Sequence, residues 1–277
     1  MNFKSIVGRI NSLPPLSDTA KIVQDLYSSG AEDVNVSKLV RVIESDALLT
    51  ANILRMINSP FYGLSRRIVS INQAVTLFGT QIIYGMVVNF SIHANIKANL
   101  RPYGITNELF NDICQLQSAL MSKWYSSINL QYAQYLSSLS LIMESGKLVI
   151  SQEVVNSSSI KDFLTGFRET KNVIEYENEK FSTTSYFVSG LLFEHWNLDP
   201  LYVSMLKGLD YEDDSMSKIL HYIDTLDVIR TAINVKEILT DESIEEAAKL
   251  VKYLKLDVND FIKAAKKLKI SYYTSQQ

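Results

Sequence analysis

The chain has 277 residues, with 27 basic and 30 acidic side chains and a formal net charge of −3. That balance argues against a protein whose main role is nucleic-acid binding, because proteins that neutralise phosphates carry a clear basic excess. The single cysteine, Cys114, excludes an intramolecular disulfide framework and favours a reducing compartment. The first fifteen residues lack the apolar core and cleavage site of a signal peptide, so a cytoplasmic location is expected.

Capping residues and helical spacing dominate the first part of the chain. Ser17, Ser37 and Asp46 each precede apolar residues at helical intervals, so each is predicted to cap a helix. Ser70 and Gln73 form the pattern of a capping box before another helix. These signals predict several short amphipathic helices in succession.

The longest apolar stretch covers residues 82–92 and follows Gly79, which is predicted to adopt a positive φ at a helix end. A helix rises about 1.5 Å per residue, so this stretch is too short for a ~30 Å hydrocarbon layer. We expect a buried helix and no membrane insertion. The small Gly85 within it predicts close approach of a second helix.

Helical signals continue through the second part of the chain. Residues 100–106 are predicted to break the helical pattern, and Asp199 with Pro200 marks a strong helix start. Ser243 and Glu246 form a second capping-box pattern, whereas the charged stretch 169–180 is predicted to be exposed. No strand alternation or hairpin signal occurs, so the sequence predicts an all-α protein.

Residues that could carry chemistry are few and scattered. No two of His93, His195 and His221 are spaced as a zinc pair, and each is predicted to be structural, at a rim or on the surface. Cys114 is predicted to be a small buried hydrophobe. The acidic run 212–214 could bind Mg²⁺ or Ca²⁺, although a solvated helix start is the simpler interpretation.

Two basic segments leave a binding role open. Residues 36–70 carry a local excess of positive charge, and Thr50, Asn52 and Arg55 would be their base-contacting side chains. Near the C-terminus, four lysines flank Phe261 and Leu268, in a pattern compatible with an anion-binding or membrane-surface helix. A solvated lysine face is the simpler interpretation there, and nucleic-acid binding through residues 36–70 is kept only as an alternative.

Five short motifs occur in one order within the first eighty residues. They are residues 13–16 (LPPL), 43–46 (IESD), 57–63 (INSPFYG), 68–74 (IVSINQA) and 77–79 (LFG). Together they resemble the N-terminal part of the HDOD family, the HD-related output domains. Residues 110–210 resemble the second half of that family more weakly.

The resemblance implies a fold similar to the HD superfamily of metal-dependent phosphohydrolases, in which a His-Asp dyad and further histidines bind metals. At the corresponding position this chain has Met143 and Glu144. Ser185 stands near a position where relatives often carry a histidine, and Leu209 and Asp210 stand where many have paired histidines. A thioether is a poor ligand for hard divalent ions, so the resemblance implies no catalytic residue, no metal and no cofactor.

The resemblance also implies a division of the chain. Residues 1–104 would form an N-terminal HDOD-type helical subdomain, 105–235 a degenerate HD-like helical subdomain, and 236–277 a C-terminal helical extension. The expected architecture is thus an all-α, multi-helix HD-like fold with an N-terminal helical subdomain. The oligomeric state stays open.

The function implied is a non-catalytic output module of bacterial signal transduction that acts through protein–protein interaction with other signalling proteins. No sensor or kinase domain is recognisable in the chain, so we expect its input to come from another protein. The candidate interaction surface consists of Asn58, Tyr62, Arg66, Arg67 and Asn72. The alternative is a divergent HD-type metal-dependent phosphohydrolase, whose carboxylates would be Glu144, Asp210, Asp213 and Asp214.

Overall fold

A computed structural model describes residues 2–28, 30–211 and 216–276. Within these ranges every regular element is a helix, and the one extended pairing is an isolated antiparallel bridge between Ile233 and Ile238. The all-α prediction is therefore confirmed. The α-helices are α1 (Phe3–Asn11), α2 (Asp18–Leu26), α3 (Val36–Glu44), α4 (Ala47–Ile57), α5 (Ile71–Asn95), α6 (Asn107–Tyr125), α7 (Leu130–Ile142), α8 (Gly146–Asn156), α9 (Ile160–Glu169), α10 (Val173–Phe181), α11 (Ser185–His195), α12 (Pro200–Gly208), α13 (Leu220–Ala232), α14 (Asp241–Tyr253) and α15 (Val258–Ser275). Short 3₁₀ helices cover Ala31–Asp33, Pro60–Tyr62, Arg101–Tyr103 and Met143–Ser145.

Polar side chains cap several of these helices at the predicted places. Ser17 and Asp46 accept hydrogen bonds from backbone N–H groups in the first turns of α2 and α4, as predicted. The cap of α3 is Asn35 rather than Ser37, because the asparagine oxygen accepts from the N–H of Lys38. The predicted cap Ser37 therefore lies inside the helix.

The start of α14 also differs from the prediction. Thr240 caps this helix by accepting from the N–H of Ser243, so Ser243 lies in the first turn. The Ser243 hydroxyl is buried and donates to the carbonyl of Ala232 at 2.9 Å, which fixes α14 to the end of α13. Glu246 pairs with Lys249 instead of completing a capping box.

Helix α5 supplies the centre of the N-terminal half. Gly79 has a φ of 81°, so its backbone is left-handed and the helix changes direction there, as predicted. By length and composition α5 is apolar enough to cross a membrane, but 67% of its apolar window is buried within the fold. A Cβ at Gly85 would overlap Ser138 Oγ, which confirms the predicted close approach of a second helix, α7.

One hydrophobic core includes residues from all three predicted segments of the chain. The segment after residue 235 packs onto it through α14 and α15, with the Trp124 and Phe261 rings 5.1 Å apart. The stretch 169–180, predicted to be exposed, instead contains most of α10 and buries Tyr176 and Glu177. The three-part division of the chain stays a prediction.

Candidate functional site

The junction between α7 and α8 occupies the place expected for a His-Asp dyad. Its 3₁₀ turn, Met143–Ser145, directs both the thioether of Met143 and the carboxylate of Glu144 into the protein, and both residues are 0% exposed. A Cβ on Gly146 would overlap the carbonyl oxygen of Ser185, so α8 and α11 meet with no room for a side chain. The Ser189 hydroxyl oxygen accepts a hydrogen bond from the Gly146 N–H at 2.7 Å, which links α11 to the start of α8.

The Glu144 carboxylate contacts protein groups through both of its oxygens. The ammonium group of Lys147 lies 2.6 Å from its Oε2, and Oε1 accepts from Gln117 Nε2 at 2.8 Å and from the Tyr186 hydroxyl at 2.7 Å. Burial favours the neutral acid, but the Lys147 ion pair and these hydrogen bonds outweigh it and lower the pKa of Glu144. The glutamate is therefore held in its charged form.

A second buried carboxylate, Glu177, approaches from α10. Its Oε1 accepts from the Tyr103 hydroxyl at 2.7 Å, and its Oε2 accepts from the backbone N–H of Ser185 at 2.6 Å. Lys147 connects Glu144 to Glu177 through Ser185. Its ammonium group pairs with Glu144 and also donates to Ser185 Oγ at 2.9 Å, and the Ser185 N–H is the group that donates to Glu177. Burial dominates at Glu177 and raises its pKa, despite the nearby Lys147 charge.

A third carboxylate, Asp210, is neutralised by Arg230 of α13. The guanidinium Nη1 lies 2.5 Å from Asp210 Oδ1, and Nη2 donates to the Leu209 carbonyl at 3.0 Å. Burial lowers the pKa of Arg230, but Asp210 and Asp227 outweigh it and raise that pKa above the ordinary value. We refer to Glu144, Lys147, Glu177, Asp210 and Arg230 as the buried ion-pair network.

The Tyr186 ring joins the two halves of this network. The Lys147 ammonium group lies 4.5 Å and the Arg230 guanidinium carbon 4.7 Å from the ring centroid. Both distances fall within the range of cation–π contacts, which gain strength when the cation is shielded from water. Two cations therefore share one aromatic ring at the centre of the site.

An open cleft of about 850 Å³ lies against the network. Lys147, Tyr186 and Arg230 line it, and α14 contributes Glu242 and Glu246 to its wall. At its margin the Lys236 ammonium group donates to the carbonyl of Thr170, which joins the α13–α14 turn to the loop before α10. The cleft is thus built partly from the predicted C-terminal extension.

The predicted HD-type positions are brought together but do not fit a metal. Glu144 and Asp210 are paired with cations, Ser185 is bonded to Lys147, and Met143 and Leu209 offer no hard oxygen side chain. A divalent ion needs several free oxygen or nitrogen ligands around one point. Within residues 2–28, 30–211 and 216–276, no group of three or more His, Cys, Asp or Glu side chains is arranged to hold a metal.

The residues predicted as an interaction surface divide into two groups. Asn58 closes the loop after α4, because its amide donates to the Ile68 carbonyl and accepts from the Ile68 N–H, both at 2.8 Å. Tyr62 is buried, and burial raises its pKa to about 12. Arg66, Arg67 and Asn72 are exposed.

The other singled-out residues have mostly internal contacts. Thr50 donates to the Ile43 carbonyl at 2.9 Å, and Arg55 donates to Asn52 Oδ1 at 2.9 Å, so these candidate base-contacting groups already have partners. Cys114 is buried, as predicted. The predicted acidic cluster at 212–214 lies outside the described residues.

The three histidines are dispersed through the fold, as predicted. His93 of α5 packs edge-on against Phe110 of α6, with ring centroids 5.9 Å apart. His195 is half-buried beside Leu13, and His221 is exposed, with its Nε2 2.9 Å from the Tyr125 hydroxyl oxygen. None of them lies in the buried ion-pair network.

The sequence did not predict most of this network. Lys147 carried a weak signal, since a lysine within an apolar run must bury its charge or break the helix. Glu177 and Arg230 carried no signal, because each stands among ordinary charged residues and only tertiary packing buries it. Gln117 and Tyr186 were equally unmarked.

The fold and the site define an all-helical protein of the HD-like fold in which cation–carboxylate pairs occupy the positions predicted to correspond to an HD-type metal site. The chain matches the model of the HDOD domain over residues 13–208, and it therefore belongs to the HDOD family. No curated protein matches it at a significant level.

Solved structures share this fold at low identity. A virulence factor from Campylobacter jejuni is 24% identical, with a TM-score of 0.58 over 96% of this chain and 98% of its own. A putative phosphohydrolase from Shewanella amazonensis is 16% identical, with a TM-score of 0.68 over 95% of this chain and 94% of its own. A putative signal transduction protein from Marinobacter aquaeolei is 17% identical, with a TM-score of 0.68, and the match covers 96% of this chain but 61% of that protein.

Proposed function

We propose that this HDOD protein is a non-catalytic, cytoplasmic signal-transduction module that acts through protein–protein interaction. One observation carries the proposal: the carboxylates at the former metal position are already neutralised by side chains, Glu144 by Lys147 and Asp210 by Arg230. A divalent ion would have to displace these cations and leave them buried without partners. Breaking one buried pair costs about 3–5 kcal/mol, so such exchange is strongly opposed.

The exposed segment after the Pro60–Tyr62 turn is the interaction surface that we favour. Arg66, Arg67 and Asn72 face solvent there, and arginine is enriched at protein interfaces. Two hydrogen bonds between the Asn58 side chain and the Ile68 backbone hold the two ends of the loop together, and a third anchors Asn58 to the Leu54 carbonyl of α4. A loop fixed in this way loses little conformational entropy when a partner binds.

Affinity capture from the native cell tests this surface. The full-length chain is compared with the double variant Arg66→Glu/Arg67→Glu and with Lys4→Glu/Lys161→Glu, which makes the same charge change at exposed sites elsewhere. We expect a reproducible signalling partner that the first variant loses and the control retains. Equal capture by both variants would place the surface elsewhere, and no reproducible partner would contradict the proposal.

The phosphohydrolase alternative is tested on the same protein. Purified chain is assayed with Mg²⁺, Mn²⁺ or Fe²⁺ on phosphodiesters and nucleotides, and its bound metals are quantified by mass spectrometry. We expect no turnover above a heat-denatured control and far less than one metal per chain. Turnover that Glu144→Gln abolishes would overturn the non-catalytic assignment.

A further inference from the structure

A groove lies between α6 and α15, on elements that contribute little to the cleft beside the buried ion-pair network. Its volume is about 310 Å³, near the lower limit for small-ligand pockets. The lining residues are Lys123, Trp124, Ser127, Asp260, Lys263 and Ala264, with Lys267. Lys263 and Lys267 are four residues apart on α15, so they share one face of that helix.

The groove concentrates positive charge without compensation. Three ammonium groups line it against the single carboxylate of Asp260, and none of the three forms an ion pair within the described part of the chain. By contrast, Lys269 of the same helix pairs with Asp241 at 2.7 Å. Three cations against one carboxylate leave a local positive excess in a chain with a net charge of −3, and such an excess attracts anions.

Lys123 is the most constrained of the three lysines. It donates to the carbonyl of Tyr62 at 3.0 Å, which holds its ammonium group in place. Burial lowers its pKa, and the neighbouring charge of Lys267 lowers it further. The repulsion between these two ammonium groups would decrease if an anion contacted both.

Trp124 provides an independent observation. Its side chain lines the groove and is 1% exposed, yet its indole N–H has no acceptor among the described residues. Trp196, the other tryptophan, donates to the Pro14 carbonyl at 3.0 Å. A buried donor without an acceptor is unfavourable, so the wall of the groove holds an unsatisfied hydrogen-bond donor.

We propose that this groove binds the phosphate group of a small phosphorylated ligand. A phosphate carries close to two negative charges and three terminal oxygens, which suit three ammonium donors. Lysine binds phosphate as a point charge. A ligand site here goes beyond the proposed interaction role and does not depend on it.

Isothermal titration calorimetry of the full-length chain with inorganic phosphate and pyrophosphate tests the proposal at constant ionic strength. The variant Lys263→Gln/Lys267→Gln removes two groove charges from exposed positions, so the fold is retained. The matched control is Lys266→Gln, which removes an exposed charge from the same helix outside the groove. We expect saturable binding that weakens roughly tenfold or more in the double variant and less than about twofold in the control.

Two results would overturn the proposal. Absence of saturable heat with both phosphates, or equal weakening in the variant and the control, would mean that the lysines act only as a solvated face. Tighter binding of a glutamate-rich peptide than of pyrophosphate, through the same lysines, would assign the groove to an acidic protein segment. Neither result bears on partner capture through Arg66 and Arg67, so the two proposals fail separately.

Discussion

The Lys147 ammonium group lies 2.6 Å from Glu144 Oε2, and both side chains are almost completely buried. A buried pair of this kind contributes little net stability compared with an apolar pair, but it is costly to break on one side only. The pair is therefore expected to make this position intolerant of single substitutions.

Removing only the cation of this pair should be severe. Lys147→Met leaves the Glu144 charge buried and unpaired, so we expect the free energy of unfolding to fall by about 3–5 kcal/mol in urea titrations. The double variant Lys147→Met/Glu144→Gln removes both charges and should recover most of that loss. Equal destabilisation of the single and double variants would show that packing, rather than charge, dominates the position.

The free energy of unfolding should depend on pH through the titration of Glu177. Because burial raises its pKa, the folded chain holds this proton to higher pH than the unfolded chain does. The free energy of unfolding should then fall as pH rises from the ordinary value of 4.5 through the raised pKa, since the native state binds more protons there.

Glu177→Gln removes this dependence. Urea titrations at several pH values should show the wild-type chain losing stability relative to the variant as pH rises through that range. Parallel profiles for the two proteins would contradict the raised pKa.

His93 should produce the opposite slope. Burial lowers its pKa from 6.5 to about 4, so the unfolded chain binds a proton that the folded chain refuses between these values. Stability present above pH 6.5 is therefore lost as pH falls towards 4, by up to about 3 kcal/mol. His93→Gln should flatten this part of the curve, and an unchanged slope would place the acid sensitivity elsewhere.

Gly146 should not tolerate a side chain. Its Cβ position overlaps the carbonyl oxygen of Ser185, so Gly146→Ala must separate α8 from α11 and should cost about 3 kcal/mol. Gly8 is the matched control, because it is an exposed position of α1, a Cβ there meets nothing within 4 Å, and alanine has the higher helix propensity. Gly8→Ala should gain about 0.5–1 kcal/mol in thermal or urea unfolding. A loss of stability in both variants would mean that helix propensity does not determine the effect of alanine at Gly8.

Local signals predicted much of the fold. Ser17, Asp46 and Gly79 act where the sequence placed them, because a cap or a positive φ depends on neighbours in the chain. The errors at Ser37 and Ser243 arose where two residues near a helix start could both serve as caps. At Ser243 a tertiary hydrogen bond to the Ala232 carbonyl engages the hydroxyl, and Thr240 serves as the cap.

The candidate site was predictable only in part. Met143 and Glu144 were located from the sequence motif, which fixes a position but not its partners. The other members of the site come from five helices and from the Arg101–Tyr103 turn, and no local pattern distinguishes Glu177 from the exposed glutamates beside it. Burial of a charge is a property of packing, so sequence periodicity does not reveal it.

The family signature and the folding unit of this protein have different lengths. The family match ends at residue 208, yet the network takes its second cation, Arg230, from α13. The carbonyl of Ile233 accepts from Gln117 at 2.9 Å, and Ser243 of α14 secures the end of α13. A fragment cut at the family boundary would lack both Asp210 and Arg230, and it would leave the Gln117 amide without its acceptor at Ile233. The residues after 208 are therefore constrained by contacts that they make with the interior of the matched domain.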